Sequence, residues 1–324
     1  VTGLSPLPEV ASHPDVRLHF ATVPSWVAKT RLLPITSVRV RPSSFFPGDG
    51  KFTVSEFADR RFFQLTFSDG TGFLMDHAAT LIWGEPGPGL SYDDLFVYLL
   101  GPVLGFALRQ RGTVTLHASS LSIQGNAIAL VGEAEAGKST TAAALALRGW
   151  PVLGEDVCAL AGSEGQYQVL PGYPRVCLWP DSVNFLFSSP DALPLMVSGW
   201  EKRFLSLDGS RAQFATNPAP LAATFLLAER SAQHSAPSIE PISQRAALLR
   251  LVRNTYMNWY LDRRQRAEEF EVLTRLVASI PCFTVIPSSD PARLSALAGL
   301  IESQAWRCFN LRAGPVLGTA SSHV

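Results

Sequence analysis

The sequence predicts an α/β fold whose core carries a phosphate-binding P-loop and follows a β-rich N-terminal region. Three observations predict it. Residues 132–139 (Gly132, Glu133, Ala134, Glu135, Ala136, Gly137, Lys138, Ser139) fit the pattern G-x-x-x-x-G-K-[ST]. An apolar run at 127–131 precedes them as a buried strand, and residues 140–148 follow as a helix closed by Gly149. Residues 1–95 hold short alternating apolar segments separated by turn residues rather than helical repeats.

The P-loop is predicted first because its flanks fit its chemistry. A glycine loop opening a helix turns backbone N–H groups and the positive end of the helix dipole toward an anion. In such a loop Lys138 reaches the β- and γ-phosphates and the Ser139 hydroxyl ligates Mg²⁺. Thr140 opens the helix and completes the nucleotide-contacting set with residues 132–139. ATP and Mg²⁺ are therefore the expected cofactors.

Upstream, residues 113–123 read as a second strand, joined to the P-loop strand by Gln124-Gly125-Asn126. So short a Gly/Asn connection is a hairpin signal. A turn centred on Gly125-Asn126 sets His117 opposite residue 134, inside the loop. A structural histidine in a half-buried strand is the equal alternative. Downstream, residues 150–160 return as a short apolar strand broken by Glu155 and Asp156. An acid after the strand following a P-loop helix is the metal-side partner of the loop serine. Two adjacent acids allow one to serve Mg²⁺ and the other to accept a proton from an attacking hydroxyl, with a solvated turn carrying two charges as the alternative.

The array Leu116-His117-Ala118-Ser119, the hairpin, the P-loop and the acidic pair together resemble the HPr kinase/phosphorylase superfamily. Residues 171–181, with Tyr173 and Arg175, look like the corresponding segment of HPr-kinase-like proteins that act on peptide natural products, the lasso-peptide kinases among them. The resemblance covers about residues 95–300 and is strongest from His117 to Asp156. It implies a mixed-sheet core like that of ATP-dependent phosphoenolpyruvate carboxykinase, and transfer of phosphate to a hydroxyl. It also implies that Asp156 is the catalytic aspartate, that Glu155 stands where the family has a first Asp, and that His117 approaches the phosphates. Two departures stand out: Glu135 replaces a usual glycine of the loop, and Glu155 is one methylene longer than Asp.

The remaining elements follow in order. Residues 1–95 form the expected β-rich domain. A hairpin there turns at 68–72, and Phe62, Phe63, Phe67, Phe73 and Trp83 are core candidates. Residues 84–89 are a loop, and 92–111 suit a helix interrupted by Gly101-Pro102. The kinase-type domain is placed at 96–310. In it, 166–170 and 176–179 read as strands, 221–227 as a core strand, 231–241 as a loop, 244–258 and 264–280 as helices, 282–286 as a strand and 291–304 as a closing helix. Arg175 suits a phosphate or carboxylate, with an ordinary surface arginine as the equal alternative. Lys202 and Arg203 suit a basic loop over the γ-phosphate, or an ordinary charged turn. Arg263 to Arg266, beside Glu268 and Glu269, read as a solvated helix face. Residues 311–324 form a small-residue tail, expected to be disordered.

Composition excludes some functions. With 27 basic and 27 acidic residues, no global field attracts nucleic acid or an anionic membrane. The four cysteines form no C-x-x-C pair and suit buried reduced thiols. No span-length apolar run or signal pattern is present in the sequence, so a cytoplasmic protein is expected. The sequence thus points to an ATP-dependent kinase acting on a serine-type hydroxyl of a peptide, with the C-terminal residue of a lasso-type precursor as the favoured acceptor. Asp156 would be the base, Lys138 and His117 would act at the phosphates, Ser139 and Glu155 would hold metal, and Arg175, Lys202 and Arg203 would bind substrate. A peptide or protein partner is expected, with room for a homo-oligomer. Rival readings are an HPr-type protein kinase/phosphorylase, a small-molecule kinase, and a non-catalytic nucleotide-binding regulatory module.

Overall fold

The computed structural model describes residues 14–42, 51–163, 165–197, 199–230 and 235–313. The N-terminal region is a six-stranded sheet. Its strands are β1 (Arg17–His19), β2 (Ile35–Pro42), β3 (Lys51–Phe57), β4 (Phe62–Phe67), β5 (Gly72–Asp76) and β6 (Leu81–Glu85), in the order β1-β6-β5-β4-β3-β2. Helix α1 (Ser25–Thr30) lies between β1 and β2. Alternation makes these strands: Phe52 and Val54 on β3 and Phe63, Leu65 and Phe67 on β4 are buried, while their neighbours are only half-covered. The expected hairpin joins β4 to β5, with Gly70 at φ 88° in its turn.

Helix α2 (Tyr92–Tyr98) starts on a Ser91–Asp94 capping box. It passes through a π-helical turn (Leu99–Val103) at Gly101-Pro102 into α3 (Leu104–Gln110), where the sequence predicts an interruption. This layer caps the first sheet: Tyr98, Leu99, Val103 and Phe106 pack with Phe63, Phe67, Phe73, Met75 and Ile82.

The second region begins with β7 (Val114–Ile123) and β8 (Asn126–Val131), followed by α4 (Lys138–Ala146), β9 (Val152–Gly154), β10 (Val157–Ser163) and β11 (Gln166–Val169). Next come β12 (Arg175–Leu178), α5 (Pro180–Phe187), β13 (Arg203–Ser206), β14 (Ala219–Leu227) and β15 (Ser238–Pro241). The chain ends in α6 (Gln244–Arg253), α7 (Arg263–Ser279), β16 (Cys282–Ile286), a 3₁₀ turn (Pro291–Arg293) and α8 (Leu294–Ala313). The sheet runs β11-β10-β7-β8-β14-β16-β15, parallel at β8·β14 and β14·β16 and otherwise antiparallel. β11 also pairs with β14, so β11, β10, β7, β8 and β14 close into a small barrel. The sheet is mixed, as expected, but the sequence carries no sign of the closure, which rests on two pairs, Gln168 with Pro220 and Val169 with Ala219.

β8 is buried along nearly its whole length. Ile128 and Leu130 pack with Ala143 and Leu145 of α4 and Ile301 of α8. Ala127, Ala129 and Val131 lie with Leu116, Leu160, Val169 and Leu221 from the other barrel strands, and with Leu251 of α6 and Leu273 of α7. A strand covered on both faces reads as a continuous apolar run for this reason. Helix α4 ends on a Schellman pair, Trp150 N–H to Leu145 C=O (3.1 Å) and Gly149 N–H to Ala146 C=O (3.0 Å), with Gly149 at φ 93°.

Several expectations need correction. Residues 238–241 are an edge strand rather than loop; Pro241 stands at its last position, where a missing N–H costs least. α6 stops at Arg253 instead of running to 258. The next residues bond to β7: His117 N–H to Asn254 C=O (2.7 Å) and Tyr256 N–H to Thr115 C=O (2.8 Å). A strand partner has displaced a helical continuation that side-chain periodicity alone suggested. Arg203 is not in a loop but starts β13, paired with Leu178. α8 runs through residues 311–313, which were read as the start of a tail; residues 314–324 lie outside the described part. Among the described residues no helix is long and apolar enough to cross a membrane.

Glu269 also departs from the solvated-face reading. It is buried and forms an ion pair with Arg109 of α3, itself buried, while Arg264 and Glu268 do make the expected exposed pair. The buried pair ties the cap of the first sheet to the second region. Removing one partner leaves a charge without a mate, at a cost of roughly 3–5 kcal/mol. Arg109→Met should therefore cost stability on that scale in urea unfolding, and Arg109→Met with Glu269→Leu should recover most of the loss. A double variant no more stable than the single one would show that the pair is not what joins these helices.

Candidate functional site

The site forms where β8 runs into α4. Residues 132–137 fold back over the end of β8 so that α4 begins at Lys138. Gly132 is buried there: a Cβ would stand 3.1 Å from Ala136 Cβ and 3.2 Å from the Leu227 carbonyl of β14, so a side chain would fit only if these neighbours gave way by a few tenths of an ångström. Gly137, the residue before the helix, has φ 92°. Glu135 has φ 64° and is exposed. Its backbone thus takes the left-handed conformation that glycine adopts freely, at a cost of about 1–2 kcal/mol for a residue with a Cβ. Glu133 and Ala134 are exposed as well, and Ala136 is buried.

Lys138 is buried against the loop, with Nζ donating to the carbonyls of Gly132 (2.9 Å) and Glu133 (2.8 Å). Burial lowers its pKa; the charges of Asp156, Glu155 and Glu133 oppose the shift. Ser139 Oγ donates to Glu155 Oε1 at 2.6 Å. Thr140 Oγ1 lies 2.8 Å from Ser182 Oγ, which links α4 to α5.

The acidic pair sits where β7 changes partners. β9 pairs with β7 at Ser120 and Leu121, and β10 pairs with it from Val114 to His117. Glu155 and Asp156 bridge the two, with Asp156 at φ 66°, a conformation Asp tolerates better than most residues. This bend turns the Asp156 carboxylate to His117, whose Nε2 lies 3.0 Å from Oδ1. The other oxygen, Oδ2, accepts from Tyr256 Oη at 3.3 Å.

The two acids are driven in opposite directions. Burial raises the Glu155 pKa, and the Asp156 charge raises it further, against Lys202, the Ser139 hydrogen bond and His117. Burial also acts to raise Asp156, but the hydrogen bond and charge of His117, with Lys202 and Lys138, outweigh it and hold that carboxyl at about 2. The two carboxyls are thus pushed apart in pKa, Glu155 upward and Asp156 downward, the separation that allows neighbouring carboxyls distinct roles. Burial pushes Tyr256 and Tyr173 well above the usual phenol range, and both acids add to the shift, so both phenols stay neutral donors.

The hairpin turn centres on Gln124 (φ 48°) and Gly125 (φ 74°), one residue earlier than predicted. Ala118 pairs with Val131, so His117 comes level with Gly132 rather than with residue 134. The shift moves pairing by two positions, which preserves the face. His117 therefore still meets the site, through Asp156 rather than through the loop.

Of the proposed substrate residues, Arg175 is buried (2% exposed) with its guanidinium 5.5 Å from the Tyr173 ring, and its Nε has no hydrogen-bond partner. Lys202 lies 5.0 Å from the Trp179 ring, and its charge acts on both acids. Arg203 is directed elsewhere: it donates to the Leu193 carbonyl (2.7 Å) and pairs with Asp191, fastening the segment before β13. The sequence reading missed Tyr256, because its segment has helical periodicity and only the backbone pairing with β7 turns it to Asp156. It also gave Tyr173 no role, although Tyr173 lies two residues from Arg175.

Glu155, Asp156 and Ser139 offer hard oxygens, the ligand type Mg²⁺ takes, and the 2.6 Å approach of Ser139 to Glu155 brings two of them together beside the loop. Among the described residues no group of three or more His, Cys, Asp or Glu could enclose a metal ion.

No protein-family model matches the chain, and no curated relative matches it. Among solved structures, that of the Hpr(Ser) kinase/phosphatase from Coxiella burnetii is similar to part of it, at 13% identity and a TM-score of 0.32, covering 60% of this chain and 99% of that one.

The opposed acids give a prediction free of any ligand. A folded-state pKa above the unfolded value makes ionised Glu155 a burden, which sets in as pH rises past the ordinary Glu range. A folded-state pKa below the unfolded value makes Asp156 a stabiliser above the ordinary Asp range, lost as pH falls toward 2. In metal-free urea unfolding at pH 7, Glu155→Gln should be more stable than wild type and Asp156→Asn less stable. The same sign of change in both variants would contradict this electrostatic description.

Proposed function

We propose that this protein is a kinase that uses ATP and Mg²⁺ to phosphorylate a serine-type hydroxyl of a peptide. The observation that carries the proposal is the meeting of three units at one end of β7 and β8. These are Lys138 on its loop, the Ser139–Glu155 hydrogen bond, and the Asp156 carboxylate held by His117.

The roles follow from position. The loop N–H groups and the start of α4 bind the polyphosphate of ATP. Lys138, released from two carbonyls that hold it at the loop, meets the β- and γ-phosphates. Ser139 and Glu155 would hold Mg²⁺, which neutralises charge on the phosphates when bound. The acceptor oxygen attacks the γ-phosphorus, the bond to the β-phosphate oxygen breaks, and ADP leaves. The acceptor's proton passes to Asp156, whose carboxylate is ionised for the purpose. His117 keeps that carboxylate aligned and adds positive charge when protonated.

The acceptor is inferred from Arg175 and Lys202. A buried guanidinium whose Nε lacks an acceptor is costly until an anion meets it. The terminal carboxylate of a peptide is an anion one residue's length from a C-terminal serine hydroxyl, which suits the end of a precursor peptide of the lasso type. Balanced overall charge argues against a nucleic-acid acceptor.

Two outcomes test this. By calorimetry, Lys138→Ala should lose most ATP affinity, whereas Asp156→Asn should keep it and lose phosphoryl transfer by about 10²-fold or more, the usual scale for a general base. Equal ATP affinity in wild type and Lys138→Ala would end the nucleotide reading. With a peptide ending in Ser, mass spectrometry should show faster phosphorylation of the free acid than of its C-terminal amide. Equal rates would discard recognition of the terminus.

A further inference from the structure

We propose that Tyr256 is a positioning residue for phosphoryl transfer, holding the Asp156 carboxylate in its working orientation from the side opposite His117. The inference rests on the kinase reading of the same site.

Asp156 is contacted at both oxygens, by His117 Nε2 at Oδ1 and by Tyr256 Oη at Oδ2. A carboxylate fixed at one oxygen can still swing about its Cβ–Cγ bond; contacts at both oxygens set its plane. Both contacts descend from β7. His117 is part of the strand, and Tyr256 follows Thr255, which bridges to Leu116, while its own N–H donates to the Thr115 carbonyl. The two groups therefore stand in a fixed relation set by backbone pairing, and their rings meet edge to face at 6.3 Å.

The helical layer supplies an independent observation. A Cβ at Gly105 would stand 2.3 Å from Tyr256 Cε1 and 2.7 Å from Cδ1. A Cβ at Gly101 would come 3.7 Å from Asp156 Oδ2 and 3.9 Å from Tyr256 Oη. These two glycines sit one turn apart, on the side facing the tyrosine. Each glycine inside a helix costs about 1 kcal/mol relative to alanine. At Gly105 the return is direct: the phenol ring lies flush against the helix backbone, in space that any side chain would fill. At Gly101 a Cβ would make only ordinary van der Waals contacts with the two oxygens, so the packing argument rests on Gly105.

In this proposal Tyr256 acts through Asp156, the acceptor of its hydroxyl. Its loss should lower the rate of transfer without loosening ATP. Tyr256→Phe keeps the ring against Gly105 and removes only the hydroxyl. Its kcat for Mg²⁺-ATP-dependent phosphorylation of a Ser-terminated peptide should fall about 10- to 100-fold, the scale typical of a group that orients an active-site ligand. KM for ATP should stay within about twofold, and the thermal midpoint should hold, because the ring packing is intact. Gly105→Ala should give the same split by pushing the ring away. Wild-type kcat in Tyr256→Phe would overturn the proposal, and so would a raised KM for ATP with unchanged kcat. If wild type transfers no phosphate, the kinase reading fails separately. A crystal structure of Tyr256→Phe then decides the positioning role by itself: a reoriented Asp156 carboxylate supports it, and an unmoved carboxylate still on His117 overturns it.

Discussion

The structure depends on how much is asked of one strand. β7 pairs with β8 from Ala118 to Ile123, with β9 at Ser120 and Leu121, with β10 from Val114 to His117, and through Thr115 to His117 with residues 254–256. A strand has two hydrogen-bonding edges, so partners beyond two must take turns along its length. Each change of partner breaks the ladder and leaves a bend. Glu155 and Asp156 occupy the bend between β9 and β10, and His117 stands just past the end of the β8 ladder. The candidate site's side chains gather where β7 exchanges neighbours, at a bend anchored on both sides by β9 and β10.

The electrostatics follow from that geometry. Adjacent carboxyls in a buried turn cannot both be ionised without compensation. His117 and the two lysines supply it unequally, favouring Asp156 and leaving Glu155 to carry the burial penalty. Such an arrangement costs stability, because burial penalises the charge on Glu155 and the neighbouring Asp156 adds to that penalty.

Much of this was legible in the sequence, for physical reasons. The 132–139 motif needs glycines at sterically closed or left-handed positions, and Gly132 and Gly137 show why. The apolar run of β8 marked a strand covered on both faces, and the single helix between Lys138 and Gly149 limited how far Glu155 and Asp156 could lie from the loop. What stayed hidden depended on partners distant in sequence. Barrel closure between β11 and β14 leaves no periodic signal. Tyr256 sat in a segment whose spacing suited helix, and a strand edge claimed its backbone. Glu269 read as one more charge on a polar face until Arg109 lay opposite. Arg203 looked like a free cation until Asp191 and the Leu193 carbonyl took it. The one-residue error in the turn left His117 on the proper face because the pairing moved by two.

The parallel pairing of β8 with β14 makes the shape of the loop depend on residues far away in sequence. The hairpin of β7 and β8 forms from neighbours in sequence and can appear early, but Val131 meets Leu226 only after a long intervening segment has been gathered in. Gly132 packs against the Leu227 carbonyl, so the loop takes its shape only once that distant strand has docked. The cost of gathering that segment falls before the contacts that shape the loop can form, so variants that weaken docking of β14 are expected to disturb residues 132–137 as well.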